Sequence, residues 1–173
     1  MGTLQDDSMN PAEQLAALAR IHELLEQREI AYWLFGGWAV DFHLRRVTRA
    51  HDDIDIAVWR RDLAAIAALL EKDGWTSTAS GTEDGYTTYR RHGVQLDLAF
   101  LERGDDGLVY TPLREGRASW PPGAFGADVS ELLGTQARLI TRSALEADKS
   151  EPRETGQTSR KDAADVAALG RRT

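Results

Sequence analysis

The sequence predicts an α/β (α+β) fold, in which a small mixed β-sheet is flanked by helices and followed by a helical C-terminal element. Apolar residues recur at helical spacing near the start of the chain. Apolar runs of strand length then alternate with helical segments, which is typical of mixed sheets. Charged helical segments close the chain, so we expect the helical element there.

A single domain over residues 1–173 is expected, in three parts. Residues 10–29 form an N-terminal helix, because Asn10 suits the N-cap and Pro11 the first helical position. The second part, residues 30–101, is the core, with strands predicted over 30–35, 53–58, 75–79, 86–91 and 94–101 and helices over 38–46 and 61–72.

The third part, residues 102–173, combines a loop with helices. The Gly- and Pro-rich stretch 102–128 predicts a long loop with short strand pieces, and loops of that length are usually functional. The elements predicted after it are an edge strand over 137–141, a helix from the N-cap Ser143 to Lys149, and a last helix over 158–169 with Asp162 and Asp165 as surface charges.

The composition is that of an ordinary soluble chain, with 42% hydrophobic and 28% charged residues. No apolar run approaches the length of a membrane span, and the first ten residues lack an export signal, so a cytoplasmic protein is expected. The absence of cysteine excludes disulfides and thiolate metal sites. A net charge of -7 disfavours a nucleic-acid partner and suits a cationic small molecule. The oligomeric state is left open.

The most informative segment runs from residue 36 to residue 56. Gly36 and Gly37 end an apolar run ahead of a helix, where backbone N–H groups can approach a phosphate. Asp53 and Asp55 are two positions apart on a predicted strand, so they point to the same face. Neighbouring carboxylates repel each other unless a cation lies between them. Mg²⁺ prefers oxygen ligands and commonly accompanies nucleotide triphosphates.

A third carboxylate, Asp97, lies on the predicted strand 94–101. Apolar residues alternate along this strand, which puts Asp97 on the face opposite the core. If this strand neighbours that of Asp53 and Asp55, the three side chains converge, since cross-strand Cβ atoms lie about 4.5–5.5 Å apart. Three carboxylates can hold two metal ions that clamp both oxygens of an in-line displacement.

The chain resembles the antibiotic nucleotidyltransferases, a branch of the DNA polymerase beta-like superfamily. The similarity is to the aminoglycoside 2''-nucleotidyltransferases and their lincosamide-modifying relatives. Two strings carry it: Gly36-Gly37-Trp38-Ala39-Val40-Asp41, and Arg46-Val47-Thr48-Arg49-Ala50-His51-Asp52-Asp53-Ile54-Asp55.

This resemblance implies a nucleotidyltransferase fold and an Mg²⁺-dependent transfer of AMP from ATP to a hydroxyl of a small antibiotic. An aminoglycoside is the first expectation and a lincosamide the second. The implied roles are metal binding by Asp53, Asp55 and Asp97, proton removal by Asp97, and nucleotide binding by Gly36, Gly37, Arg49 and Lys149. His51 is expected to make a structural hydrogen bond.

Residues that bind the acceptor are harder to predict, because substrate loops vary on a shared scaffold. An ammonium-rich acceptor suits carboxylates near Asp97, and an aromatic ring can stack on a sugar or base. The candidates are Glu83, Asp84, Tyr86 and Glu102, with Asp105 and Asp106 beside them.

Two other functions remain open from the sequence. One is transfer to a protein or RNA end, as in toxin-antitoxin nucleotidyltransferases, which the acidic composition and the long loop disfavour. The other is a non-catalytic nucleotide-binding module. Loss of one carboxylate would be expected there, and all three are present.

Overall fold

The computed structural model describes residues 10–78, 84–151 and 160–171. Helix α1 spans Pro11–Glu26, and the Asn10 side chain accepts a hydrogen bond from the Ala12 N–H at 3.0 Å, which confirms the predicted cap. The helix ends before residue 29 because Glu29 adopts a left-handed conformation and the Ile30 N–H bonds back to the Leu25 carbonyl. No helix among these residues is long and apolar enough to span a membrane.

The main sheet is mixed, with the order β1-β2-β5-β4-β3. Only β2 and β5 run parallel, and their other neighbours are antiparallel. These strands are β1 (Tyr32–Phe35), β2 (Ile54–Trp59), β3 (Thr76–Ser77), β4 (Tyr86–Arg91) and β5 (Val94–Arg103), and helix α3 (Leu63–Lys72) follows β2 through a 3-10 turn at Arg60–Asp62.

A large part of the hydrophobic core lies on one face of this sheet. Ile54 and Ile56 of β2 and Leu96 and Leu98 of β5 are almost wholly buried, as the alternation predicted. Side chains of α1 and α3 complete the same cluster. The opposite face of β2 and β5 carries Asp55 and Asp97, next to the buried Ala57 and Ala99.

Helix α2 spans Gly36–Leu44, so the prediction that it begins at residue 38 is wrong. Strand β1 passes into the helix without a loop, and Gly36 at the junction adopts a φ of +70°, a conformation that favours glycine. The glycine pair is thus the first turn of the helix.

The region after β5 contains more strand than expected. Part of the predicted loop forms β6 (Val109–Pro112) and β7 (Arg117–Ser119), which extend the sheet from β5. A separate hairpin joins β8 (Val129–Leu132) to β9 (Thr135–Arg138). The edge strand predicted over 137–141 is therefore found earlier in the chain, as β9, which ends at Arg138. Leu139, beyond its end, makes an isolated bridge to Leu34.

Two helices end the described chain, α4 (Arg142–Ser150) and α5 (Arg160–Gly170). The predicted N-cap Ser143 is wrong. Thr141 caps α4 instead, and its hydroxyl accepts from the Ala144 N–H at 3.4 Å. The helices are tied together by the Arg142 guanidinium, which donates to the Leu169 carbonyl.

Candidate active site

Three carboxylates converge on the polar face of the sheet. Asp55 and Asp97 are register partners on the parallel strands β2 and β5, and Asp53 lies just before β2. One oxygen from each of the three lies within 4.8 Å of the others. The predicted convergence is confirmed.

The electrostatics of this cluster favour a bound cation. Burial raises the pKa of Asp55 to about 8, and repulsion from Asp53 and Asp97 adds to the effect. Burial also raises the pKa of Asp53, again with a contribution from Asp97. A divalent ion would remove this repulsion, and an all-oxygen donor set fits Mg²⁺. The residues present therefore fit a magnesium site.

Asp97 is held by two hydrogen bonds. The Thr88 hydroxyl on β4 donates to one carboxylate oxygen at 2.5 Å, and the Gln95 amide donates to the other at 2.9 Å. These bonds fix the rotamer of Asp97 and leave lone pairs on both oxygens. Thr88 and Gln95 are positioning residues that the sequence alone did not single out.

The glycine pair is packed against functional side chains. A Cβ atom on Gly36 would overlap the Asp55 carboxylate, and one on Gly37 would lie 2.5 Å from His51 Nδ1 and 2.7 Å from Arg49 Nη2. Any larger residue would push these groups aside. Both positions therefore require glycine whether or not a phosphate is bound.

His51 makes the predicted structural hydrogen bond. Its Nε2 lies 2.6 Å from an oxygen of the buried Asp41, whose other oxygen accepts from the hydroxyl and N–H of Thr48. The ring also packs on Trp38, with centroids 4.5 Å apart. This network fixes the segment that leads into Asp53.

A cavity of about 420 Å³ opens over the carboxylates. The glycine pair, Asp53 and Asp55 line one side of it. A second side is lined by aromatic and small residues of β1, of β4 and of the segment from β6 to Pro121. Residues of α4 and α5 line the remaining side. The polar and aromatic lining residues include Arg49, Asp52, Tyr86, Trp120, Asp148, Lys149, Glu151, Lys161 and Asp162.

Arg49 and Lys149, the predicted phosphate contacts, both line this cavity and are both ion-paired. Lys149 contacts Asp162 and Asp165, and Arg49 contacts Asp165. The prediction that Asp162 and Asp165 are surface charges is wrong, because both are buried. Burial alone would raise the pKa of Asp165, but hydrogen bonds from Arg49 and Lys149 lower it below its usual range.

Of the predicted acceptor residues, Tyr86 lines the cavity. Glu83 lies outside the described residues. Asp84 is exposed beside Arg114, and Glu102 accepts hydrogen bonds from Arg60 and from the Tyr110 hydroxyl, so neither lines the cavity. Asp105 and Asp106 are also exposed and outside the lining.

Three further acidic residues line the cavity that were not among the predicted site residues. Asp148 lies in the last turn of α4, Glu151 follows the end of that helix, and Asp52 precedes the metal pair. Their proximity in sequence to Lys149 and Asp53 was the available signal. It is a weak one, since charged residues at helix ends are common.

The fold and the carboxylate cluster define a protein of the nucleotidyltransferase class. The crystal structure of ANT(2'')-Ia in complex with adenylyl-2''-tobramycin superposes with a TM-score of 0.71 at 21% identity, covering 91% of this chain and 87% of that one. The lincomycin-bound lincosamide adenylyltransferase LnuA gives 0.69 at 23% identity, covering 94% and 97%.

Sequence comparison identifies the family. The chain belongs to the aminoglycoside-2''-adenylyltransferase family, whose model matches residues 17–169. A 2''-aminoglycoside nucleotidyltransferase of Klebsiella pneumoniae is 40% identical over 96 residues, which span 53% of this chain and 46% of that relative. A lincosamide resistance protein of Staphylococcus haemolyticus is 28% identical over 96 residues, or 56% and 60% of the two chains. The match thus covers about half the length of the first relative.

Proposed function

We propose that this protein transfers AMP from ATP to a hydroxyl of an aminoglycoside, in an Mg²⁺-dependent reaction that confers resistance. The observation that carries the proposal is the convergence of Asp53, Asp55 and Asp97, of which Asp53 and Asp55 line the same cavity as the glycine pair. Family membership supports the reaction class, and the family's description points to the 2''-hydroxyl.

The three carboxylates would hold the metal. Mg²⁺ bound there, as one or two ions, would neutralise charge that develops on the phosphate oxygens. Asp55 and Asp53 are suited to this role because their repulsion is relieved only by a cation or a proton.

In the transfer step, the acceptor oxygen forms a bond to the α-phosphorus while the bond from that phosphorus to the bridging oxygen breaks. Pyrophosphate leaves with the electron pair, and the hydroxyl proton passes to a general base. Asp97 is the candidate base, because Thr88 and Gln95 hold its carboxylate in place with lone pairs to spare.

The nucleotide phosphates would lie against the glycine pair and the N-terminus of α2. Free N–H groups and the positive end of the helix dipole favour an anion at that position. Arg49 and Lys149 line the same cavity and can donate charge-assisted hydrogen bonds to phosphate oxygens.

The acceptor side of the cavity suits a polycation. Among the described lining residues, six carboxylates face three Lys and Arg side chains. Of these carboxylates, Asp52, Asp148 and Glu151 belong neither to the proposed metal site nor to the cluster around Lys149, and Asp52 pairs with Lys161. The rings of Tyr86 and Trp120 offer apolar surface for a sugar. An aminoglycoside carries several ammonium groups on sugar rings, so it matches both features.

A lincosamide is the second candidate acceptor. The similarity to a lincosamide resistance protein and to the fold of LnuA favours it. It carries a single amine, so it would use less of the acidic lining than an aminoglycoside does.

The test is incubation of the protein with ATP, Mg²⁺ and a panel of both antibiotic classes, with mass spectrometry to detect gain of one AMP. Transfer to aminoglycosides that have a 2''-hydroxyl, and not to those without it, is expected. The Asp53→Asn variant is the control for contaminating activity. Modification of lincosamides alone would replace the first candidate with the second, and no transfer to either would contradict the proposal.

A further inference from the structure

We infer that Asp162 and Asp165 of α5 are positioning residues, which orient Lys149 and Arg49 so that their free N–H groups meet the nucleotide phosphates. The inference rests on the proposed nucleotide transfer. It extends the functional site to the last described helix, which lies more than a hundred positions from the metal pair in sequence.

The contacts form one cluster. Asp165 accepts from Arg49 Nε at 3.2 Å and Nη2 at 3.0 Å, a two-bond arrangement that fixes the guanidinium plane. Lys149 Nζ lies 3.0 Å from Asp165 and 2.9 Å from Asp162. One carboxylate on α5 therefore orients both cations, and the second holds Lys149 from another side.

The burial of this cluster is costly for a purely structural role. Asp162 and Asp165 are 3% and 2% exposed, and Lys149 is 4% exposed. Buried ion pairs often stabilise a fold no better than apolar residues of similar volume. The buried charges are explained if the orientation of the Lys149 and Arg49 N–H groups matters for function. Both residues border the cavity that Asp53 and Asp55 also line.

Lys149 and Arg49 each keep N–H groups that can donate to a ligand. The Lys149 ammonium has three N–H groups, and contacts to two carboxylates leave one. Arg49 has five, of which three go to Asp165 and the Ala50 carbonyl, leaving two. Arg49 Nη2 also lies against Gly37, where a Cβ atom would be 2.7 Å away. The guanidinium is thus held beside the glycine turn proposed to receive phosphate.

Within the described part of the chain, the two cations Lys149 and Arg49 face the two carboxylates Asp162 and Asp165, so these four side chains together carry no net charge. It would act on phosphate through directed hydrogen bonds and not through excess positive charge. The two explanations, excess charge and orientation, therefore predict opposite changes in nucleotide affinity when one carboxylate is removed. Asp165→Asn raises the local positive charge and would tighten nucleotide binding if charge alone mattered. If orientation matters, it weakens binding.

The experiment measures binding of α,β-methylene-ATP with Mg²⁺ by titration calorimetry, and kcat and KM for ATP, for the wild type and for Asp165→Asn and Asp162→Asn. We expect Asp165→Asn to lose about tenfold or more in affinity, since charge-assisted hydrogen bonds have that magnitude. Asp162→Asn should lose less, because it touches Lys149 and not Arg49. Asp165→Glu, which keeps the charge, should recover part of the loss.

Arg142→Met is the matched control for a structural effect. It removes the tie between Arg142 and the Leu169 carbonyl, which joins the same two helices outside the cavity. It should lower the Tm without changing nucleotide affinity. Asp162→Asn also serves as the second variant if Asp165→Asn does not fold.

Unchanged or tighter binding of the analogue by Asp162→Asn and by any folded Asp165 variant, with a lowered Tm alone, would overturn the inference. The binding measurement needs no acceptor. Failure of antibiotic modification by the wild type would therefore count against the proposed function, while loss of analogue affinity in the variants would still support the positioning role.

Discussion

Replacement of Asp55 by asparagine should stabilise the metal-free protein while abolishing transfer. Asn has nearly the shape of Asp, so no cavity forms, and its neutral amide removes the repulsion with Asp53 and Asp97. Its amide can also donate to the neighbouring carboxylates. Transfer fails because a proposed metal ligand is lost.

The size of the effect follows from the raised pKa of Asp55, which is about 8 in the folded protein and about 3.9 in an unfolded chain. The folded state therefore binds more protons between these values, and its stability falls as the pH rises from about 4 to about 8. Each pKa unit corresponds to about 1.4 kcal/mol, so ionised Asp55 costs the fold on the order of 5 kcal/mol at pH 8. The cost at pH 5 is smaller, on the order of 1 to 2 kcal/mol.

Urea unfolding in EDTA at pH 5, 6, 7 and 8 measures this effect. The gain in unfolding free energy of Asp55→Asn over the wild type should grow with pH, and Mg²⁺ should stabilise the wild type far more than the variant. Asp105→Asn, on an exposed turn, is the control and should show no such trend. A pH-independent gain, or a net loss of stability at pH 8, would refute the reasoning.

Three further predictions concern the reaction. Asp97→Asn should reduce kcat by about 10²–10⁴ as expected for loss of a general base, and unchanged turnover would exclude Asp97 from that role. Gly37→Ala should raise KM for ATP, because the added methyl displaces His51 and the neighbouring arginine; Gly126→Ala, whose nearest contact would be at 4.0 Å, should not. KM should rise with ionic strength more steeply for an aminoglycoside than for a lincosamide, since exposed charges are screened beyond about 8–10 Å at physiological salt; equal slopes would argue against an acidic acceptor site.

The local features of the site could be predicted because each depends on a short pattern. Alternation along a strand determines which face a side chain occupies, so Asp53, Asp55 and Asp97 were placed opposite the core correctly. Asn10 was identified correctly as the N-cap of α1 because Asn followed by Pro is a short pattern typical of a helix start. Boundaries were less accurate: Gly36 belongs to α2, and Thr141 replaces Ser143 as a cap, because both depend on how the backbone enters the helix.

The sequence by itself determined the fold class, the glycine turn and the common face of the three carboxylates, since these follow from residue type and spacing. Only the tertiary structure decided that β2 and β5 are parallel neighbours with Asp55 opposite Asp97. It also decided that Asp165 pairs with Arg49, 116 positions earlier in the chain. A charged helical residue has the same local pattern whether it faces water or a buried cation, and the packing of α5 against the loop before β2 is what distinguishes the two.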